Sequence, residues 1–221
     1  MRIVSLVPSI SETLLAAGAN VVGVTRYCNR DDLPLIGGTK DPDLAKIASL
    51  EPDLVILDRH ENLLADYELL RQAKMDTFAT SISSISDMNR DFTELSKIIN
   101  LELPKFDDFI RLPSRIKVLV PIWRRPYMAL GPDTYGGDLL SHLGFEVIGG
   151  ETTYSKIDLE DFVGRVDLII APSEPYKFTK RQLPELGAIS EVIFVDGQDL
   201  FWWGSRTKVA LQRLARKLSA Y

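Results

Sequence analysis

Short β-branched runs alternate with stretches of helical period along this chain. Ile3 to Val7, Val21 to Thr25, Leu54 to Leu57 and Thr77 to Thr80 read as strands in the first half. Pro8 stops the first run, and Ser9 or Ser11 ahead of Glu12 predicts the N-cap of a helix reaching Ala17 and ended by Gly18. Asp43 predicts the cap of a short helix to Leu50. The loop from Arg26 to Thr39 carries Pro34 and the Gly37-Gly38 pair, which oppose regular structure. Between 62 and 74 the apolar residues fall at 63, 64, 67, 69, 70 and 73, a helical period. Met88, Phe92, Leu95 and Ile99 line one face of a further helix from Ser86 to Asn100, with Asp87 as its expected cap.

The second half repeats this design. Strands are predicted at Lys117 to Ile122, Phe145 to Ile148, Leu168 to Ala171 and Ile193 to Val195. Helices are predicted at Tyr135 to Leu143 and Asp158 to Val163, with a short helical piece at Leu183 to Leu186. A basic amphipathic helix from Ser205 to Leu218 turns Val209, Leu211, Leu214 and Leu218 inward, and Trp123 to Pro132 reads as a loop. Arg-Ile-Val-Ser-Leu-Val-Pro at 2 to 8 returns as Arg-Ile-Lys-Val-Leu-Val-Pro at 115 to 121, and Pro-Asp-Leu-Val-Ile at 52 to 56 as Val-Asp-Leu-Ile-Ile at 166 to 170. Repetition at nearly the same offset, 113 and 114 residues, implies two similar α/β lobes, and alternating strands and helices favour mostly parallel sheets. The expected organisation is an N-terminal lobe over 1–85, a helical linker over 86–114 and a C-terminal lobe over 115–221, with a ligand cleft between the lobes. Pro104 interrupts the linker, a further short helix is expected over 105 to 112 before Pro113, and a helical rather than Gly/Ser-rich connector predicts lobes held stiffly.

Composition narrows the functions available. The 221 residues carry a net charge of −5, which argues against nucleic acid as a partner, because that needs a basic surface to displace counterions. A single cysteine excludes an internal disulfide, and two histidines give no dense metal-ligand spacing, so a metal would arrive inside its own ligand. No apolar run approaches the ~20 residues of a membrane span. The chain opens directly on a strand without signal-peptide features, which predicts a cytoplasmic location, or a periplasmic or extracellular one had a leader been removed.

In open parallel sheets, ligands lie beyond the carboxyl ends of the strands. That rule selects Pro8-Ser9, Tyr27-Cys28, Asp58-Arg59-His60-Glu61 and Thr80-Ser81 in the first half. In the second it selects Trp123-Arg124-Arg125-Pro126-Tyr127, Ser173-Glu174-Pro175-Tyr176 and the stretch from Asp199 through Phe201, Trp202 and Trp203 to Arg206. All three tryptophans fall in these segments, beside Arg and Glu. Such a set suits a wide, flat, partly apolar ligand with polar edges, gripped by stacking and a few hydrogen bonds. The competing reading is that Phe201-Trp202-Trp203 packs down as a lid on its own lobe. Catalytic readings carry less. Ser9 lacks Gly-x-Ser-x-Gly and is better placed to cap a helix. Cys28 has no partner base nearby in sequence. His60 is the best acid/base candidate, although an exposed loop histidine is the commoner case. His142 lies inside a helix, and no carboxylate pair stands out.

Ile-Val-Ser-Leu-Val-Pro-Ser-Ile-Ser-Glu-Thr-Leu at 3 to 14, Val-Val-Gly-Val-Thr-Arg-Tyr-Cys at 21 to 28, Gly-Gly-Thr-Lys-Asp-Pro-Asp-Leu at 37 to 44 and Leu-Glu-Pro-Asp-Leu-Val-Ile at 50 to 56 resemble the helical-backbone metal-receptor superfamily. These are the class III substrate-binding proteins of ABC importers for vitamin B12, ferric siderophores and haem, and the likeness is nearest in character to the cobalamin-binding BtuF-like branch. Pro-Asp-Thr-Tyr at 132 to 135 and Trp-Trp-Gly-Ser-Arg at 202 to 206 extend it through the second half. The resemblance implies two lobes joined by a long helix. It also implies a monomer that binds a corrinoid or other metal chelate without catalysis and without an intrinsic cofactor, delivering it to an importer permease with no membrane insertion of its own. By position it implicates Tyr27, Arg59 and His60 in ligand contact, with Trp123, Tyr127, Tyr176, Phe201, Trp202 and Trp203 opposite, and Glu61 and Glu174 as acidic docking residues. A siderophore or haem receptor of the same fold would recruit Arg59, Arg124, Arg125 and Arg206 as counter-charges. The remaining alternative is a cytosolic cofactor-handling enzyme or chaperone using His60 or Cys28.

Overall fold

The computed structural model describes residues 1–28, 30–106, 112–113 and 116–221. The chain forms two compact units. The first comprises Met1–Ile82, Ser86–Lys105 and Trp203–Ser205, and the second Ser83–Ile85, Phe106–Trp202 and Arg206–Tyr221.

In the first unit β1 (Ile3–Ser5), α1 (Pro8–Ala16), β2 (Val21–Val24), α2 (Leu44–Ser49), β3 (Leu54–Asp58), α3 (Leu64–Gln72), β4 (Thr77–Thr80) and most of α4 (Ile85–Ile99) follow in order. The sheet runs β2-β1-β3-β4 and every pair is parallel. Strands buried on both faces must be apolar throughout, which explains why Leu54–Leu57 reads as a continuous run rather than an alternation. On one face Val4, Leu6, Val55 and Leu57 pack with Ile36, Ile47 and Leu70. Met88, Phe92 and Leu95, spaced at helical period, are fully buried on α4.

The structure moves two expected caps. Helix α1 begins at Pro8, with Val7 in the N-cap position and no side-chain cap, so Ser9 is not the cap but a buried residue of the first turn. The reason is local: a proline ring fixes φ near the helical value and lacks the N–H that the first turn cannot use. Asp87 lies inside the first turn of α4, two residues past its start at Ile85, where it pairs with Arg90 at 2.6 Å. Asp43 does cap α2, accepting the Lys46 N–H at 2.9 Å. Helix α4 stops at Ile99 because Asn100 takes a left-handed φ of 53°, four residues ahead of Pro104. Ser86–Lys105, expected as linker, clusters with the first unit, and the short helix expected over 105 to 112 falls largely on residues outside the described ones.

The second unit holds β5 (Ile116–Leu119), β6 (Pro121–Trp123), β7 (Met128–Leu130), α5 (Tyr135–His142), β8 (Phe145–Val147), β9 (Tyr154–Lys156), β10 (Leu168–Pro172), α6 (Leu183–Leu186), β11 (Glu191–Val195), α7 (Gly197–Phe201) and α8 (Thr207–Lys217). Its main sheet is parallel in the order β8-β5-β10-β11, the winding of the first unit repeated strand for strand. The repeat extends to helix endings: Gly18 after α1 and Gly144 after α5 adopt φ of 79° and 85°, values that glycine reaches without a Cβ penalty.

The units differ where β5 leads on. The expected loop from Trp123 to Pro132 is instead a hairpin, β6 with β7, extended by β9 into a three-stranded antiparallel sheet. Asp158 to Val163 forms a 3-10 turn over Leu159–Phe162, capped by Asp158, in place of an α-helix. Among the described residues no helix is long and apolar enough to cross a membrane.

Candidate functional site

The carboxyl end of the first sheet is organised by a carboxylate. Asp58, the last residue of β3, is 2 % exposed. It accepts from the His60 N–H at 2.8 Å, the Glu61 N–H at 3.3 Å and the Thr80 hydroxyl at 2.7 Å, tying β3 to β4. Asn62 closes the turn from the other side. Its Oδ1 accepts the Asp58 N–H at 2.8 Å, and its Nδ2 donates to Leu6 O and Thr39 O at 3.2 and 2.8 Å. This frame holds Arg59, His60 and Glu61 outward, all exposed. His60 Nε2 lies 3.4 Å from the Ser81 hydroxyl, and the Lys40 ammonium donates to His60 O at 3.0 Å. Glu61 keeps an exposed residue surface, yet desolvation of its carboxyl and then the Asp58 charge push its pKa above the ordinary value, against Lys40 and His60. Tyr27 is exposed, with the Arg26 guanidinium 5.2 Å from its ring centre and Asp41 holding that guanidinium at 2.8 Å. Pro8 is half-buried, and Cys28 is buried with its thiol 3.6 Å from the Thr25 hydroxyl.

The second unit assembles an aromatic group past the ends of β5 and β10. Trp123 is 45 % exposed and meets Tyr176 edge-on at 5.9 Å. Tyr176 packs on Phe178 at 4.8 Å, and Phe178 stacks on Tyr127 at 6.5 Å with planes 15° apart. Phe178 is buried and joins this group to the unit's core, so the rings stand on a rigid base. Glu185, in the single turn of α6, receives a two-point contact from the Arg124 guanidinium, including Nε at 3.0 Å, and the Tyr127 hydroxyl at 2.6 Å. The Arg124 contact, then that of Tyr127, hold the Glu185 carboxyl below the ordinary glutamate range. Burial first and the Glu185 contact second push Tyr127 up to about 12, with Arg124 opposing. Arg124, expected as a ligand counter-charge, is therefore already answered by a carboxylate of its own unit.

Near the C-terminus the two adjacent tryptophans diverge. Trp202 is half-buried with the Arg206 guanidinium 4.9 Å from its ring, and Phe201 ends α7 half-buried. Trp203 is only 4 % exposed and packs against Phe92 of the first unit's core at 5.9 Å. Glu174 is half-buried in the turn after β10. Phe178 and Glu185 lie beyond the segments that the post-strand rule selects. The segment selected after β10 ends at Tyr176, and the alternation of Tyr176 and Phe178 is the sequence signal that it continues inward.

No family model matches the chain, and no curated protein matches it in sequence. Solved structures do match its fold. The periplasmic vitamin B12 binding protein BtuF of Vibrio cholerae is 18% identical, with 99% of this chain and 96% of that one covered at a TM-score of 0.76. A periplasmic heme binding protein from Pseudomonas aeruginosa is 18% identical over 100% of this chain and 92% of its own, at a TM-score of 0.78. The periplasmic heme binding protein HutB of Vibrio cholerae is 18% identical over 100% and 99%, at 0.76. With both units and nearly every residue covered in each case, this chain has the fold of the class III substrate-binding proteins of ABC importers, the fold its N-terminal motifs resemble.

Proposed function

We propose that this protein is a non-enzymatic solute-binding protein for a large planar metal chelate of the corrinoid or haem class, delivering it to an ABC importer from outside the cytoplasm. The observation that carries the reading is the ring group Trp123–Tyr176–Phe178–Tyr127. It offers an exposed indole beside partly buried phenols on a fixed base, where a flat apolar ligand gains stacking area with little ordering cost. The like-folded proteins named above bind vitamin B12 or heme, which supports the ligand class without choosing within it. Tyr27, Arg59 and His60 of the first unit are proposed as further contacts, and Glu61 and Glu174 as the acidic docking pair. Trp203 and Ser9 are left out of the contact set because both are buried in the first unit.

Spectral titration of the protein with haem and with cobalamin tests the proposal. A saturable shift in the ligand's absorption with at least one of them is expected, and Trp123→Ala and Tyr176→Ala should each weaken it about tenfold, the scale of one lost aromatic contact in a desolvated site. Binding that ignores both substitutions would remove the basis of the reading.

A further inference from the structure

Directly after Tyr176 the second unit opens into a cavity of about 570 Å³ lined by Tyr176, Lys177, Thr179, Lys180, Arg181 and Gln182. Three of the six residues are cations and none is an acid. Lys177, Lys180 and Arg181 are exposed, and none of the three has a carboxylate partner among the described residues. Elsewhere in the same unit Arg124 is held by Glu185 and Arg213 by Asp199. Thr179 and Gln182 shape the floor: the Thr179 N–H donates to Gln182 Oε1 at 2.8 Å and the Arg181 N–H to the Thr179 hydroxyl at 3.3 Å, which fixes the backbone that carries the three cations. Like charges gathered within one turn repel one another, and in a chain of net charge −5 their local excess is relieved best by an anion from outside.

The cavity adjoins the aromatic group through a shared residue. Tyr176 forms one wall of the basic cavity while its ring touches Trp123 and Phe178. Tyr176 is thus common to the ring group and to the cavity that carries Lys177, Lys180 and Arg181. We propose that this cavity takes carboxylate groups, so that the solute is an anionic, carboxylate-bearing chelate and not a neutral, amide-decorated corrinoid. The inference rests on the binding role proposed above and names the chemistry of the ligand's edge. An arginine pairs a carboxylate at two points and a lysine as a compact charge, so the set matches two or more carboxylates.

The test compares four probes by equilibrium titration: iron protoporphyrin as the free diacid, its dimethyl ester, cobalamin and ferric citrate. Each is run with the unaltered protein and with the Lys177→Gln/Lys180→Gln/Arg181→Gln triple variant, whose thermal midpoint should be unchanged because all three side chains are exposed. The diacid is expected to bind about tenfold or more tighter than the ester, the scale of a charge-assisted contact, and the triple variant to abolish the difference. Diacid and ester binding alike, or a preference that survives the triple substitution, would overturn the carboxylate site while leaving the planar-ligand reading standing. Tight cobalamin binding with no response to the variant would do the same. Ferric citrate bound in a variant-sensitive way, with neither porphyrin bound, would keep the carboxylate site and discard the planar ligand. No binding of any probe would end both.

Discussion

The Ser205 N–H donates to the Thr13 hydroxyl at 3.0 Å, and that hydroxyl in turn donates to Ser9 O at 2.9 Å inside α1. A residue near the end of the chain is thus pinned to the first helix of the fold. Between them Gly204 adopts φ 101° and passes so close to Thr13 that a Cβ there would fall well inside contact distance of its hydroxyl oxygen. Gly204→Ala should destabilise the protein by about 3 kcal/mol, combining the backbone penalty with overpacking against a buried helix. Denaturant unfolding measures it, and a loss of only a few tenths would mean that the segment can lift away from α1 at little cost.

The same segment separates two tryptophans by role. Trp203 is sealed against Phe92, so Trp203→Ala should cost about 3–5 kcal/mol in unfolding free energy, as large aromatic truncations in cores do. Trp123 is half-exposed and touches Tyr176 only by its edge, so Trp123→Ala should cost about 1 kcal/mol. Under the proposed function the order reverses for ligand binding, where Trp123 matters and Trp203 acts only through folding. Measuring both quantities on both variants checks the assignment. Equal stability losses would contradict the burial that distinguishes them.

Much of this architecture could be read from the chain because a parallel sheet writes itself as continuous apolar runs. Ile3–Ser5, Leu54–Asp58 and Leu168–Pro172 are strands as expected, and the repetition of the first pair of motifs anticipated the matching strand orders. The strand expected over Lys117 to Ile122 divides into β5 and β6, while β7 and β9 escaped, since their pairing is set by residues distant along the chain. Pro8 misled in the other direction: a proline that ends a strand also opens a helix, and only the backbone distinguishes the two. Of the residues that the strand ends select, Trp123 and Tyr176 meet directly and Tyr127 joins them through Phe178. Sequence could not tell Trp202 from Trp203, because adjacent identical residues differ only in which way the chain turns. Nor could it foresee that Glu185 answers Arg124, since the two lie far apart along the chain.

Asp58 supports the loop that presents Arg59, His60 and Glu61, and it does so from a buried position with several donors aimed at it. Asp58→Ala would leave the His60 N–H and the Thr80 hydroxyl facing an apolar space, at a cost of about 3 kcal/mol. Asp58→Asn, which keeps an acceptor oxygen in place, should lose less. Hydrogen exchange at the His60 amide gives a local readout: marked acceleration is expected in the alanine variant and a smaller one in the asparagine variant. Unchanged protection in both would show that the loop is held by Asn62 alone.

The Arg124–Glu185–Tyr127 cluster makes the second unit's stability depend on acid pH in a definite direction. Glu185 titrates below its ordinary value of 4.5 in the folded protein, with the Arg124 contact as the main cause. A carboxyl depressed by folding contributes stability above its unfolded pKa and loses that contribution as pH falls through the folded one. Glu185→Gln should therefore be less stable than the unaltered protein at neutral pH, and the gap should close as pH drops below about 4.5. The effect is modest because the Glu185 side chain is 39% exposed and solvent screens the pair. Tyr127 supplies an independent reading, since its hydroxyl, pushed up to about 12, owes that value first to burial and next to Glu185. Phenolate absorbance, isolated by subtracting a Tyr127→Phe variant, should appear at lower pH in Glu185→Gln while still remaining above the ordinary tyrosine value, because the burial persists. A phenolate titration that does not move would show that the Tyr127 to Glu185 contact at 2.6 Å does not hold in solution.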